Sequence, residues 1–222
     1  MLAAFGVCMT PAECAAETAA LLPSLAAATA FSVRVAALPI GGTYAPPPPD
    51  AADAPLGARP PLHVLCRDAS SADASFAPID ALGSSRALAG AGYFEARARG
   101  GELHVISDRV RDASALRILL THELVHAADA AVHGLDLSLC GALACSEVRA
   151  AAAADCAADT TPWWWRAACA RRVAVASAAM VFPAEGAACV RAVFAPCFAL
   201  APGDSPGPAV ARALAAEAAT LR

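Results

Sequence analysis

The sequence predicts an α+β fold, mostly helical, with a small antiparallel sheet or hairpin placed just ahead of one particular helix. Three observations lead there. The second half of the chain is Ala- and Leu-rich with helical spacing of its apolar residues. Two alternating runs, GYFEARA and ELHVIS, flank Arg99-Gly100-Gly101, as a β-hairpin requires. The stretch LLTHELVH, residues 119 to 126, sets two imidazoles four positions apart among aliphatic neighbours.

Composition narrows the field before any element is placed. A chain of 222 residues suffices for one domain with a proper core. The 58% hydrophobic content is largely alanine, which favours helix without demanding a bilayer. The longest early uncharged run, Thr18 to Val33, is broken by Pro23, so it falls short of the roughly 18 to 20 apolar residues that span a membrane. A net charge of -4 without a basic cluster argues against a nucleic-acid partner. Glu13 and Glu17 with no early arginine are the reverse of an ordinary cleaved presequence. Nine cysteines without a CxxC favour an oxidising compartment over zinc knuckles. Their count is odd, and even eight of them admit about 105 pairings.

The elements follow in order. Thr10-Pro11 opens an Ala-rich helix over residues 10 to 31, with Cys8 and Cys14 bracketing its start. Residues 1 to 38 are thus a Cys-containing helical segment, and 39 to 61, dense in Gly, Pro and Asp and including PPPPD, form a linker or insertion. PLHVLC, 61 to 66, is a short strand, and 69 to 91 a Ser/Ala/Gly loop. After the hairpin, Asp112 or Ser114 caps a helix that runs to about Val132 on a stripe of Leu116, Leu119, Leu120 and Leu124. Helices are expected at about 141 to 155, 163 to 182 and 184 to 195. Residues 62 to 204 make the main domain, and a tail helix lies within 205 to 222. Trp163, Trp164 and Trp165 beside Arg166 suit either a membrane interface or a helix start packed on the core.

Positions four apart share one helix face, so His122 and His126 can present two imidazoles to one ion. Glu123 is rotated by about 100 degrees from His122 and can reach a water near that ion without being a ligand. The pattern HExxH arises by chance in such a composition with a probability of about 0.004, so coincidence is a poor explanation. Zinc held by three protein donors keeps a fourth position for water, acidified towards a pKa of about 7, and Glu123 is then the general base for attack on a peptide carbonyl. The third donor must come from elsewhere. Glu147, in ACSEVRA, is the first choice. Asp129, Asp136 and His133 compete, and Asp129 is also suited to orienting a ligand histidine.

HELVHAADA, LACSEVRAAAAADC, CARRVAVASA and CVRAVFAPCF, in that order between about residues 92 and 204, resemble the mitochondrial inner membrane metalloprotease family. Members of that family process a precursor of an ATP synthase membrane subunit and aid its assembly. The resemblance implies a zinc endopeptidase on the intermembrane space side, peripheral to the inner membrane, imported by an oxidative route without a cleaved presequence. It also implies that His122 and His126 bind metal, that Glu123 is catalytic, and that an assembly activity exists apart from proteolysis. Ser107 stands where the family has a strand cysteine and no cysteine follows Cys66, so no disulfide is expected there. Ala128 and Ala142 replace an aromatic residue and a histidine of the family pattern. PPPPD and TPWWWR are particular to this chain.

The leading expectation is therefore a zincin-like metalloendopeptidase with Zn2+, acting on a peptide or protein substrate that ELHVIS could align beside the metal helix. The alternatives are a non-proteolytic assembly chaperone and a disulfide-stabilised binding protein with a structural zinc.

Overall fold

A computed structural model describes residues 9–25, 28, 30–38, 60–68, 92–97, 100–157, 162–200 and 204–212. Helix α1 (Pro11–Leu21) opens on a capping box: the Glu13 N–H donates to the Thr10 hydroxyl at 3.2 Å and the Thr10 N–H donates to Glu13 Oε2 at 2.8 Å. It stops well short of residue 31. Pro23 has no N–H to continue the helix, and Leu22–Ser24 tighten into a 3₁₀ turn. Beyond it the β-branched Val33 and Val35 alternate with Arg34 in strand β1 (Ser32–Ala37), which the alanine content had hidden.

Strands β2 (Pro61–Arg67), β3 (Gly92–Arg97) and β4 (Gly100–Ile106) complete a sheet of order β1-β2-β4-β3. β3 and β4 form the antiparallel hairpin expected from the sequence, with Gly92 opposite Val105. The sheet as a whole is mixed rather than antiparallel, because β1 and β4 both run parallel to β2. Parallel neighbours need long return connections, and a reading based on local turn signals does not detect them. Leu62, Val64, Cys66, Leu103 and Val105 leave one face of the sheet fully buried, where they meet Cys14 and Leu21 of α1 and Leu116, Leu120 and Leu124 of the next helix in a first core.

That helix, α2 (Ala113–Ala127), is capped by Asp112, whose carboxylate accepts the Ala115 N–H at 2.8 Å. It continues to Val132 as expected, but Ala128–Val132 are wound as a wider π turn. Gly134, at φ 68, then releases the chain. Helix α3 (Cys140–Ala153) is buried at every position from Gly141 to Ala152, with α2, α4 (Trp163–Val181) and α5 (Gly186–Phe198) packed around it. Small side chains let three helices close on one, which explains where much of the alanine goes. At Gly186 a Cβ would lie 2.6 Å from the Ala178 backbone, so α5 meets α4 through a residue that has none.

Four disulfides join these parts: Cys14–Cys66 ties α1 to β2, Cys140–Cys189 and Cys145–Cys197 tie α3 to α5, and Cys156–Cys169 ties the turn after α3 to α4. At Ser107, where no disulfide is expected, the hydroxyl donates to the Arg67 carbonyl at 3.1 Å, and the neighbouring Cys66 is paired with Cys14. Its partner comes from a helix packed across the sheet instead of from a neighbouring strand. Trp163, Trp164 and Trp165 are 76%, 57% and 57% exposed, so the rings do not pack on the core. Among the described residues no helix is long and apolar enough to cross a membrane. The PPPPD stretch, the 69 to 91 loop, Arg99 and residues 213 to 222 lie outside the described residues, and 207 to 212 are helical.

Cys14 and Cys66 are both fully buried and 52 residues apart in sequence. Replacing both by alanine is expected to remove about 4 kcal/mol of stability, from the chain entropy released by opening a loop of that length. Urea unfolding of the oxidised proteins measures it.

Candidate metal centre

Helix α2 supplies two of the converging side chains and α3 the third. His122 and His126 lie one turn apart with ring centroids at 4.9 Å and an interplanar angle of 73°. Glu147 faces both from α3: its Oε2 is 3.4 Å from His122 Nε2 and its Oε1 is 3.6 Å from His126 Nε2. One ligand atom from each of the three lies within 4.8 Å of the others. The opposite ring nitrogens are occupied. His122 Nδ1 is 2.8 Å from Asp155 Oδ2, and His126 Nδ1 is 2.7 Å from Ser146 Oγ. Each imidazole thus has one nitrogen engaged by an outer partner and the other turned towards the carboxylate. Ser177 of α4 lends a hydrogen bond to Glu147.

The donors suit a metal. Two imidazole nitrogens and one carboxylate form the set that zinc takes from proteins. Glu147 Oε2 is buried and makes no short hydrogen bond, with His122 Nε2 standing off at 3.4 Å, a position that a cation held between them would improve.

Glu123 stands beside this cluster and outside it. It is buried, and the Phe94 N–H of β3 reaches its carboxylate. Without a metal the four groups differ sharply in protonation. Burial pushes the Glu123 carboxyl up to about 7, partly offset by the charge of His122. Burial drives His126 down to about 4. His122 also feels burial, but its bonds to Asp155 and Glu147 outweigh it and hold the ring well above 6.5. Burial would raise Glu147 too, yet His126, His122 and Ser177 together keep it below the usual carboxylate range. The result is one ionised carboxylate aimed at two imidazoles, next to a second carboxylate that exchanges a proton near neutrality.

The competing residues lie outside the three-donor set. Asp129 is fully buried in the π turn, bonded to Arg149 of α3 and to Ser146, the partner of His126, and burial raises its carboxyl to about 6 against the pull of both. Asp136 is exposed and accepts the Ser138 N–H at 3.0 Å, a local turn contact. His133 is outside the cluster. A second set of donors, Glu95, Glu102 and His104, gathers on the hairpin, where the Tyr93 ring stacks on His104 and Arg67 bonds the Tyr93 hydroxyl. Strand β4, which carries ELHVIS, has β2 on one side and β3 on the other and so offers no edge to a substrate. The edge strand that packs against α2 is β3. Sequence reading missed Asp155, Ser146, Ser177 and the Phe94 N–H. The only local signal was that Ser146 adjoins Glu147.

A mixed α+β fold with a largely buried His-His-Glu set and a separate, proton-exchanging glutamate on the same HExxH helix defines a peptidase of the metal-dependent class. The chain belongs to the peptidase M76 family, whose model matches residues 83–202. That span contains the hairpin, α2 and α3 and extends through α5, and the match agrees with the metalloprotease family that the four sequence blocks resemble. No curated protein and no solved structure matched.

Glu123 has a pH consequence that can be measured without metal. Its folded pKa of about 7 lies above the ordinary 4.5, so between those values the folded chain holds a proton that the unfolded chain has released. Its contribution therefore falls as pH rises through that window. Metal-free Glu123→Gln is expected to gain on the metal-free wild type from about pH 4.5 to 7, by on the order of 3 kcal/mol at the upper end. Urea unfolding over a pH series reads this, and identical pH profiles for the two proteins would refute the buried placement of Glu123.

Proposed function

We propose that this chain is a zinc-dependent endopeptidase of the zincin type, in which His122, His126 and Glu147 hold the ion and Glu123 is the general base. The observation that carries this reading is the convergence of three donors from two helices, with Glu123 left out of the cluster at its side. A zinc ion so held supplies Lewis acidity towards a peptide carbonyl oxygen and acidifies water. Glu123 takes a proton from the attacking water on its carboxylate and delivers it to the departing amine nitrogen. The Phe94 N–H holds that carboxylate at the margin of the sheet, and an extended substrate pairs along β3, an edge strand among the described residues.

The finer reading rests on the resemblance of the four sequence blocks. The substrate is a precursor of an ATP synthase membrane subunit, the chain also aids assembly of that subunit, and it works on the intermembrane space side of the mitochondrial inner membrane, in peripheral contact with it. Two features agree with this. Four disulfides suit an oxidising compartment. Three exposed indoles at the start of α4, a helix with three arginines and no acidic residue, suit an anionic bilayer surface.

Purified protein is expected to cleave a peptide substrate, to lose that activity with a chelator, and to lose about 10²- to 10⁴-fold in kcat as Glu123→Gln while still binding zinc. Full activity in that variant would overturn the assigned base. The chain's three tryptophans all lie in the exposed stretch, so its indole emission reports on that stretch alone. Vesicles of phosphatidylcholine with an anionic phospholipid are expected to shift the emission to shorter wavelength, and unchanged emission would remove the membrane contact while leaving the peptidase reading in place.

A further inference from the structure

The outer partners of the cluster are not equivalent. Ser146 and Ser177, which support His126 and Glu147, are neutral hydroxyls on the helices α3 and α4. The partner of His122 is a carboxylate, Asp155, and it stands on no helix. Asp155 lies in the turn that follows the end of α3 at Ala153, between Ala154, whose N–H donates to the Ala150 carbonyl, and Cys156, whose N–H donates to the Ala151 carbonyl, both at 2.9 Å. Its side chain is 33% exposed, so water competes for the same atoms. Those bonds tie the turn to α3, and a second set of tethers fixes it against the first turns of α4. The disulfide Cys156–Cys169 adjoins Asp155 directly. Arg166 donates from Nε and Nη2 to the Ala152 carbonyl at 3.3 and 2.9 Å, capping the last turn of α3 from the neighbouring helix.

Resting on the reading of the cluster as a zinc site, we propose that Asp155 is the positioning residue for His122, held in place by the Cys156–Cys169 disulfide and Arg166, and that zinc affinity depends on those tethers. An imidazole offers one lone pair to a metal when its other nitrogen carries the proton. A carboxylate at Nδ1 accepts that N–H and keeps it there, so that Nε2, which faces Glu147 at 3.4 Å, is the nitrogen that would give up its proton to a metal. The bond is 2.8 Å long, and a hydrogen bond is lost by about 3.6 Å, so a movement of the turn of less than about 1 Å is enough to undo it.

The test is zinc affinity of the full oxidised chain, measured by competition with a chromophoric chelator, together with the visible absorption of the cobalt-loaded protein. Asp155→Ala is expected to weaken zinc binding about 10- to 100-fold and to alter the cobalt spectrum. Asp155→Asn, which keeps an acceptor oxygen at Nδ1, falls less. Cys156→Ala with Cys169→Ala weakens binding in the same direction, and adding Asp155→Ala to that pair brings the loss no further than Asp155→Ala does alone, because the disulfide acts through Asp155. Arg166→Met loosens the same turn with every disulfide intact, and is expected to weaken binding even if the cysteine variant does not fold. Zinc affinity unchanged in Asp155→Ala, or losses that add in full in the combined variant, would overturn the proposal while leaving the zinc reading intact. A wild-type chain that binds no zinc sinks both.

Discussion

The closure of α3 onto α2 is the contact on which the rest of the molecule depends. It brings Glu147 to His122 and His126, and it does so in a region where every residue of α3 from Gly141 to Ala152 is buried. The same contact carries a second charged pair, Asp129 with Arg149, one turn past the metal helix, and Arg149 reaches on to the Asp204 carbonyl at 3.0 Å. Buried charges are tolerated only when they meet partners, and here each helix supplies what the other lacks. Two polar contacts therefore set the register between α2 and α3, which alanine packing alone would leave free to slide.

Around that contact the molecule is built as two cores. The apolar face of the sheet with α1 and α2 makes one, and α3, α4 and α5 make the other. The cluster lies where they meet. Disulfides reinforce both: one closes the first core between α1 and β2, and three anchor α3 or its trailing turn to α4 and α5. Cys145 and Cys156 stand immediately beside Ser146 and Asp155, so the covalent frame holds the backbone on which the outer partners of both histidines are mounted.

The electrostatics of the site follow from burial acting on groups with different neighbours. Desolvation disfavours every charge in the cluster, and what survives it is decided pairwise. Glu147 stays ionised because two imidazoles face it, whereas Glu123, one residue from His122 but rotated off the cluster, is left to titrate near neutrality. One helix thus holds a pair of imidazoles for an ion and a proton-exchanging carboxyl beside them, with an angular offset of one residue separating the two roles.

Much of this was legible in the sequence, and the reasons differ by residue. The helical period set the two histidines on one face and Glu123 to the side, a property of local geometry that needs no tertiary information. Glycine, proline and capping residues marked the hairpin and the starts of α1 and α2 for the same reason. Strand β1 was invisible, because six residues of modest β-propensity become a strand only by pairing with β2, and the parallel order of β1, β2 and β4 has no short-range signature. Glu147 could be ranked above Asp129 and Asp136 as a candidate but not selected, since a carboxylate's partner depends on which helix packs against it. Asp155 was missed, because nothing local ties it to a histidine thirty-three residues away. The amino-acid order by itself determined which groups share a helix face, since that is set by the rise and twist of one chain segment. Only the tertiary structure decided which carboxylates meet those groups, since that is set by long-range packing and by disulfide pairings no spacing specifies.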